Sequence, residues 1–185
     1  GNKTWYDANG TASAAHMKVE AFPYGTECIR NYILKPDVMQ KNPSGDNTCR
    51  NLWNADNNTY SANDNQVVKT VYDPCPVGFK LPANNAFTGF TTTGGNTSNT
   101  SPANGTWDSA RKGWNFYAQA NGTGQQIFFP ASGSRNYSDG SLSLVGSYGL
   151  YWLAGPNNER SGWRLNFFSS YVNPLGNYYR SAGYG

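Results

Sequence analysis

The sequence predicts an α+β domain: a twisted antiparallel sheet with few short helices and long ordered loops. Three observations lead there. Glycine (21) and proline (10) interrupt the 185 residues so often that long helices have little room. Short runs of β-branched and aromatic residues recur between those interruptions. Only one stretch repeats its large side chains at a convincing helical period: Trp107, Ala110, Trp114 and Tyr117 fall at i, i+3, i+7 and i+10.

That period predicts a helix over 108–120, with Asp108 helping to cap its start. A weaker helix candidate, interrupted by Pro36, covers 29–40. Strands are expected over 67–72 and over 126–131, the second after a glycine-rich turn. Residues 150–154 and 163–168 read as a hairpin about the loop 155–158. The Thr/Ser/Asn/Gly-rich segment 91–106 reads as an exposed loop. Segments 83–90 and 137–149 contain apolar anchors and read as ordered loops. Trp53, Val68, Val71, Phe79, Phe128, Trp152 and Leu165 are the expected core.

A chain of this length reads as one domain over 1–185, able to bury about 70% of the surface its unfolded form exposes. Charged residues are 14%, against about 25% in an ordinary soluble protein. The mean hydropathy is −0.67, so the polarity comes from Asn, Ser, Thr, Gly and Tyr. Disordered chains are poor in aromatics. Here 6 Trp, 13 Tyr and 9 Phe argue for a folded protein. The net charge of +3 is spread without a Lys/Arg block, which excludes an electrostatic nucleic-acid footprint. No apolar stretch approaches the roughly 20 residues a membrane-spanning helix needs. No signal peptide opens the chain, and Gly1-Asn2-Lys3 reads as a mature or trimmed start.

Chemistry is sparse. The only histidine, His16, lies in a polar segment and reads as a surface or tag-like residue rather than a general base. The acids are scattered beside Asn and Gly, where short carboxylates serve turns. No phosphate-binding loop, dinucleotide fingerprint or HExxH motif is present. Asp56-Asn57-Asn58 and Asn63-Asp64-Asn65 are oxygen-rich but lack the central Gly and closing Glu of an EF-hand. No metal or cofactor is expected, and no enzymatic activity. Cys28, Cys49 and Cys75 fit either one disulfide plus a free thiol or three reduced thiols.

The positive signal is aromatic density towards the C-terminus, from Tyr148 to Tyr184. Tyr171, Tyr178 and Tyr179 sit among Ser, Asn, Pro and Gly, the composition of adaptable binding loops.

Several segments resemble a known family. They are Lys69-Thr-Val-Tyr-Asp-Pro-Cys-Pro-Val-Gly-Phe-Lys-Leu-Pro82 and Phe87-Thr-Gly-Phe90, then Phe129-Pro-Ala-Ser-Gly-Ser-Arg-Asn-Tyr-Ser-Asp-Gly-Ser-Leu142. Gly149-Leu-Tyr-Trp152 and Leu165-Asn-Phe-Phe-Ser-Ser-Tyr-Val-Asn-Pro174 extend the match. Together they resemble the Fibrobacter succinogenes major paralogous domains of Bacteroidetes fimbrillin-type surface proteins, over residues 51–185. The resemblance implies a C-type-lectin-like fold and a place outside the cell, on the outer membrane, a pilus tip or a virion surface. It also implies an adhesin or receptor-binding role toward a protein or glycan ligand on another cell or surface. A carbohydrate-binding lectin module and a structural pilin subunit, with pilus subunits as partners, are the alternatives.

Some relatives of this type are targets of diversity-generating retroelements, which randomise Asn codons along a ligand-binding face. By that resemblance the binding residues are Tyr148, Leu150, Phe168, Tyr171, Leu175, Gly176, Tyr178, Tyr179 and Tyr184, while Trp152 and Trp163 are scaffold. The sequence departs from the family in two places. It ends at Gly185, before the family's closing strand, and Gly155-Pro156-Asn157 lacks the acid of the calcium-site tripeptide of sugar-binding lectins.

Overall fold

The computed structural model describes residues 5–6, 12–13, 18–20, 30, 33–35, 38–40 and 51–184, apart from 58, 97–102, 138–139, 159 and 181. It overturns the α+β expectation: the protein is nearly all β, 43% strand and 5% helical. The C-type-lectin-like architecture attached to that expectation is left without support. Two small sheets come first. Strands β1 (Trp5–Tyr6) and β2 (Ala12–Ser13) pair antiparallel, and β3 (Lys18–Glu20) and β4 (Val38–Gln40) pair parallel. Three three-stranded antiparallel sheets follow. The first holds β5 (Gly105–Asp108), β6 (Gly113–Gln119) and β7 (Thr123–Pro130) in that order. The second places β8 (Ser134–Arg135) between β9 (Leu142–Ser143) and β13 (Gly183–Tyr184). The third and longest has β11 (Ser161–Phe168) between β10 (Gly149–Pro156) and β12 (Tyr171–Tyr179).

The helix expected over 108–120 is the hairpin β5–β6. Trp107 and Trp114, which share a helix face, are also direct cross-strand partners, with ring centroids 6.1 Å apart. The strand alternative wins because Trp114 and Phe116 then point the same way at a period of two. Both are buried, and Phe116 stacks 3.9 Å from Phe90. Asp108 does not cap a helix. Its carboxylate accepts the N–H groups of Ala110 and Arg111 and closes the hairpin turn. Of the weaker candidate, Arg30, Ile33 and Leu34 have helical backbone, while Val38–Gln40 is strand.

Residues 67–72 form no strand either. Only Lys69 makes a ladder contact, an isolated bridge to Asn54. The reason lies at Asp73, whose buried carboxylate accepts the N–H groups of Cys75 at 2.8 Å and Leu81 at 3.0 Å. Lys69 Nζ reaches the same carboxylate at 3.2 Å and also donates to the carbonyls of Cys75 and Phe79. This clamp winds 69–81 into consecutive turns around one ion pair. It leaves Val68, Val71 and Phe79 exposed, against the expectation that they are core. Trp53, Trp152 and Leu165 are buried, and Phe128 is half-buried.

The core lies on both sides of β10–β11–β12. One cluster gathers Trp53, Val67, Leu81, Trp152, Ala154 and Ala182, with Trp53 and Trp152 ring centroids 5.4 Å apart. The other joins Leu165, Phe167 and Val172 to Trp114 and Phe116 of β6. Trp114 Nε1 donates to the Phe168 carbonyl at 3.0 Å and ties the two sheets together. Gly149 is needed where β10 passes Phe167, because a Cβ there would lie 1.9 Å from that ring.

Two stability measurements check this arrangement. Trp152→Ala empties a large aromatic site and costs about 3–5 kcal/mol by chemical denaturation. Burial alone raises the Asp73 pKa, but the N–H groups of Leu81 and Cys75 and the Lys69 ammonium outweigh it and hold the carboxyl below its ordinary value. Its stabilisation is therefore present above the unfolded-state pKa and lost as pH falls through the lower folded-state value. Asp73→Asn costs about 2–3 kcal/mol at pH 7, and its deficit against the parent shrinks only below about pH 4. A deficit unchanged between pH 7 and pH 2 contradicts the clamp.

Candidate functional site

The register of the central sheet decides which side chains share a face. Strand β11 pairs Leu150 with Asn166 and Trp152 with Arg164 on one side, then Arg164 with Gly176 and Phe168 with Tyr171 on the other. Because side chains alternate along a strand, one face carries Leu150, Trp152, Arg164, Asn166, Phe168, Tyr171, Gly176 and Tyr178. The opposite face carries Tyr151, Leu165, Phe167 and Val172 and is sealed against β6. A bulge in β12 puts Pro174 and Leu175 opposite the single residue Leu165.

The nine residues singled out by resemblance divide as follows. Tyr148, Phe168 and Tyr171 form an aromatic run at one end of the face: Tyr148 lies 5.1 Å from Phe168, and Phe168 stacks on Tyr171 at 4.9 Å with planes 12° apart. Tyr178 and Tyr184 lie at the other end, 5.9 Å apart. Tyr179 has the opposite register to Tyr178 but packs with it against Tyr137. Leu150 and Gly176 share the face yet are buried, Leu150 at 2% exposure, so they form its floor. Leu175 is half-buried in the bulge, apart from either aromatic group. Tyr184 comes from β13, sits 4.6 Å from Trp152 and caps the first core cluster.

Between the two aromatic groups lies a cavity of about 150 Å³. Tyr148, Leu150, Tyr178 and Tyr184 line it, together with two residues that the sequence reading passed over, Arg164 and Asn166. Arg164 Nη1 donates to the Tyr184 hydroxyl at 2.8 Å. The guanidinium carbon also stands 4.7 Å from the Tyr178 ring centre and 4.9 Å from that of Tyr184. Burial lowers the guanidinium pKa from its ordinary value, and the neighbouring tyrosines oppose that shift. Burial likewise pushes the Tyr184 phenol up, so it stays protonated at neutral pH. Arg164 Nε and Asn166 Oδ1 are both buried without a hydrogen-bond partner. The signal available in the sequence was the alternation Arg164-Leu165-Asn166-Phe167, which puts two polar groups side by side on the non-core face.

A wider, open cleft of about 510 Å³ lies beyond Tyr178, lined by Asn158, Arg160, Ser161, Asn177, Tyr178 and Tyr179. Asn158 shapes its rim, its Oδ1 accepting the N–H groups of Arg160 and Ser161. Asn57 and Asn63 likewise serve local turns, accepting the N–H groups of Thr59 and Asn65. Among the described residues no group of three or more His, Cys, Asp or Glu stands close enough to hold a metal. Cys75 is a half-buried free thiol whose pKa is raised by burial and by Asp73. His16, Cys28 and Cys49 lie outside the described residues. No helix among the described residues is long and apolar enough to cross a membrane.

No family model, curated protein or solved structure matches the chain. The family resemblance therefore stands on its motifs alone.

Tyr184→Phe tests the geometry. It keeps the ring against Trp152 but removes the acceptor of a half-buried guanidinium, for a loss of about 1–2 kcal/mol by chemical denaturation. A variant as stable as the parent contradicts the Arg164–Tyr184 bond.

Proposed function

We propose that this chain is a ligand-binding domain of an extracellular surface, an adhesin or receptor-binding module working through the open face of β10–β12. One observation carries the reading. Tyr148 and Tyr178 line a cavity on one face of the sheet, and Phe168 and Tyr171 stack beside Tyr148 on that face, although the four are spread over two strands and a loop. Tyrosine contributes large contact area at low entropic cost, which suits such a face to recognition. The ligand is a protein or glycan on another cell or surface.

A second reading, a carbohydrate-binding module, is favoured by the make-up of the cavity. Amides, hydroxyls and an arginine beside tyrosine rings suit a polyhydroxylated ligand, since rings stack on sugar C–H faces while amides bridge hydroxyls.

The test is the double variant Tyr171→Ser, Tyr178→Ser. The variant stays folded and loses about 1–3 kcal/mol, because Tyr171 stacks on Phe168 and Tyr178 covers the Arg164 guanidinium. Adhesion to a panel of cells and immobilised glycans falls by about 30-fold per residue, since an anchor side chain contributes about 2 kcal/mol. A folded double variant that adheres like the parent overturns the proposed face.

A further inference from the structure

We propose that the cavity beneath Tyr178 and Tyr184 receives the carboxylate of an acidic sugar residue, with Arg164 as the anion-binding group. This inference rests on the ligand-binding reading of the same face and names the chemistry of its ligand.

Arg164 sits in the central strand and is half-buried, yet its charge meets no carboxylate among the described residues. A cation withdrawn from water without a counter-ion is unfavourable unless something completes it. Two tyrosine rings and one phenol oxygen go part of the way, and such cation–π contacts contribute about 2 kcal/mol when desolvated. Nε remains without an acceptor, and two residues along the same face Asn166 Oδ1 remains without a donor. A bound carboxylate supplies the missing acceptor and an adjacent hydroxyl the missing donor. Arginine with carboxylate makes the short, paired hydrogen bonds that give both strength and orientation.

The walls select for charge and for hydroxyls. Among the described residues they include Ser134, Asn136 and Ser143, and Arg135, whose Nη1 donates to the Gly140 carbonyl at 3.0 Å, but neither Asp nor Glu. The size selects for a terminus. Liquid water occupies about 30 Å³ per molecule, so a cavity of about 150 Å³ accommodates a carboxylate and the carbons next to it, not a whole ligand. The rest of the sugar emerges past Tyr178, which at 38% exposure offers its ring for stacking. A peptide carboxylate satisfies Arg164 equally well, but the polar lining favours a polyhydroxylated neighbour over an apolar side chain.

NMR titration of the isotopically labelled chain decides this. Three probes are compared: a methyl glucuronide, the neutral methyl glucoside, and a short glycine peptide with a free carboxylate. The expected result is binding of the glucuronide at least tenfold tighter than either of the others, with the largest shifts at Arg164 Nε–H and the Asn166 side chain. Arg164→Lys keeps the charge but removes Nε, and it lowers glucuronide affinity at least tenfold with an unchanged folded spectrum. If that variant does not fold, the titration of the parent chain decides alone. Equal binding of glucuronide and glucoside, shifts confined to other surfaces, or tighter binding of the peptide overturns the acidic-sugar assignment. If the glucuronide fails while the Tyr171→Ser, Tyr178→Ser variant still loses adhesion, the carboxylate assignment falls and the binding face stands.

Discussion

Strand β11 is hydrogen-bonded along both edges, to β10 and to β12, and so none of its side chains can change sides. A one-residue slip would drive Arg164 and Asn166 into the cluster of Trp114 and Phe116 and push Leu165 and Phe167 out of it. Leu165 and Phe167 are fully buried, which pins the register from one side. Trp114 donating to the Phe168 carbonyl pins it from the end. With the register held, the other face of the sheet is available for groups that a core would reject. There the protein places a guanidinium, an amide and a row of aromatic rings.

The loops around this sheet are held by a few buried polar side chains rather than by apolar packing. Asp73 and Lys69 organise 69–81. Asn54 Oδ1 accepts the Val68 N–H at 2.8 Å. Asn104 Nδ2 donates to the carbonyls of Gly89 and Gln119 while its Oδ1 accepts the Gly122 N–H, which fastens the 3-10 turn Thr88–Phe90 to the β6–β7 hairpin. Each side chain stands in for a stretch of ladder and satisfies backbone groups that would otherwise be buried unpaired. A composition rich in Asn and Thr and poor in charge is thus compatible with an ordered fold. The same residue types that suggest disorder or linkers act here as internal fasteners.

The strands legible in the sequence were those with uninterrupted β-branched and aromatic runs, β7, β10 and β11. Strand β12 was not legible, because Pro174 and Gly176 argue against a strand. An edge position and a bulge reconcile them, since an edge strand need not donate at every residue. The helix expected over 108–120 failed because the seven-residue step from Trp107 to Trp114 satisfies a helix face and a hairpin pair alike, and only the partner strand β7 separates the two. Residues 67–72 failed for a different reason: the local β preference of Val67-Val68 yields to a clamp whose other half lies at Asp73 and Leu81. Of the positions singled out by resemblance, Tyr148, Tyr178 and Tyr184 line the cavity, while Leu150 and Gly176 are buried, which no local feature of the sequence announces. Arg164 and Asn166 were not legible, because a polar residue on a strand is unremarkable until the register shows what faces it.

The central claim is that the β10–β12 sheet has one face sealed against β6 and a second that the Trp53–Trp152 cluster covers only in part, leaving exposed and half-buried aromatic rings on the rest. Paramagnetic broadening of the aromatic NMR signals by a soluble, uncharged relaxation agent measures this directly. Tyr178 broadens most and the half-buried Tyr171, Phe168 and Tyr148 broaden clearly, while Phe116 and Phe167 stay sharp. Equal broadening of Phe167 and Tyr178, or protection of Tyr171 and Tyr178 together with Phe116, contradicts the division of the sheet on which the account stands.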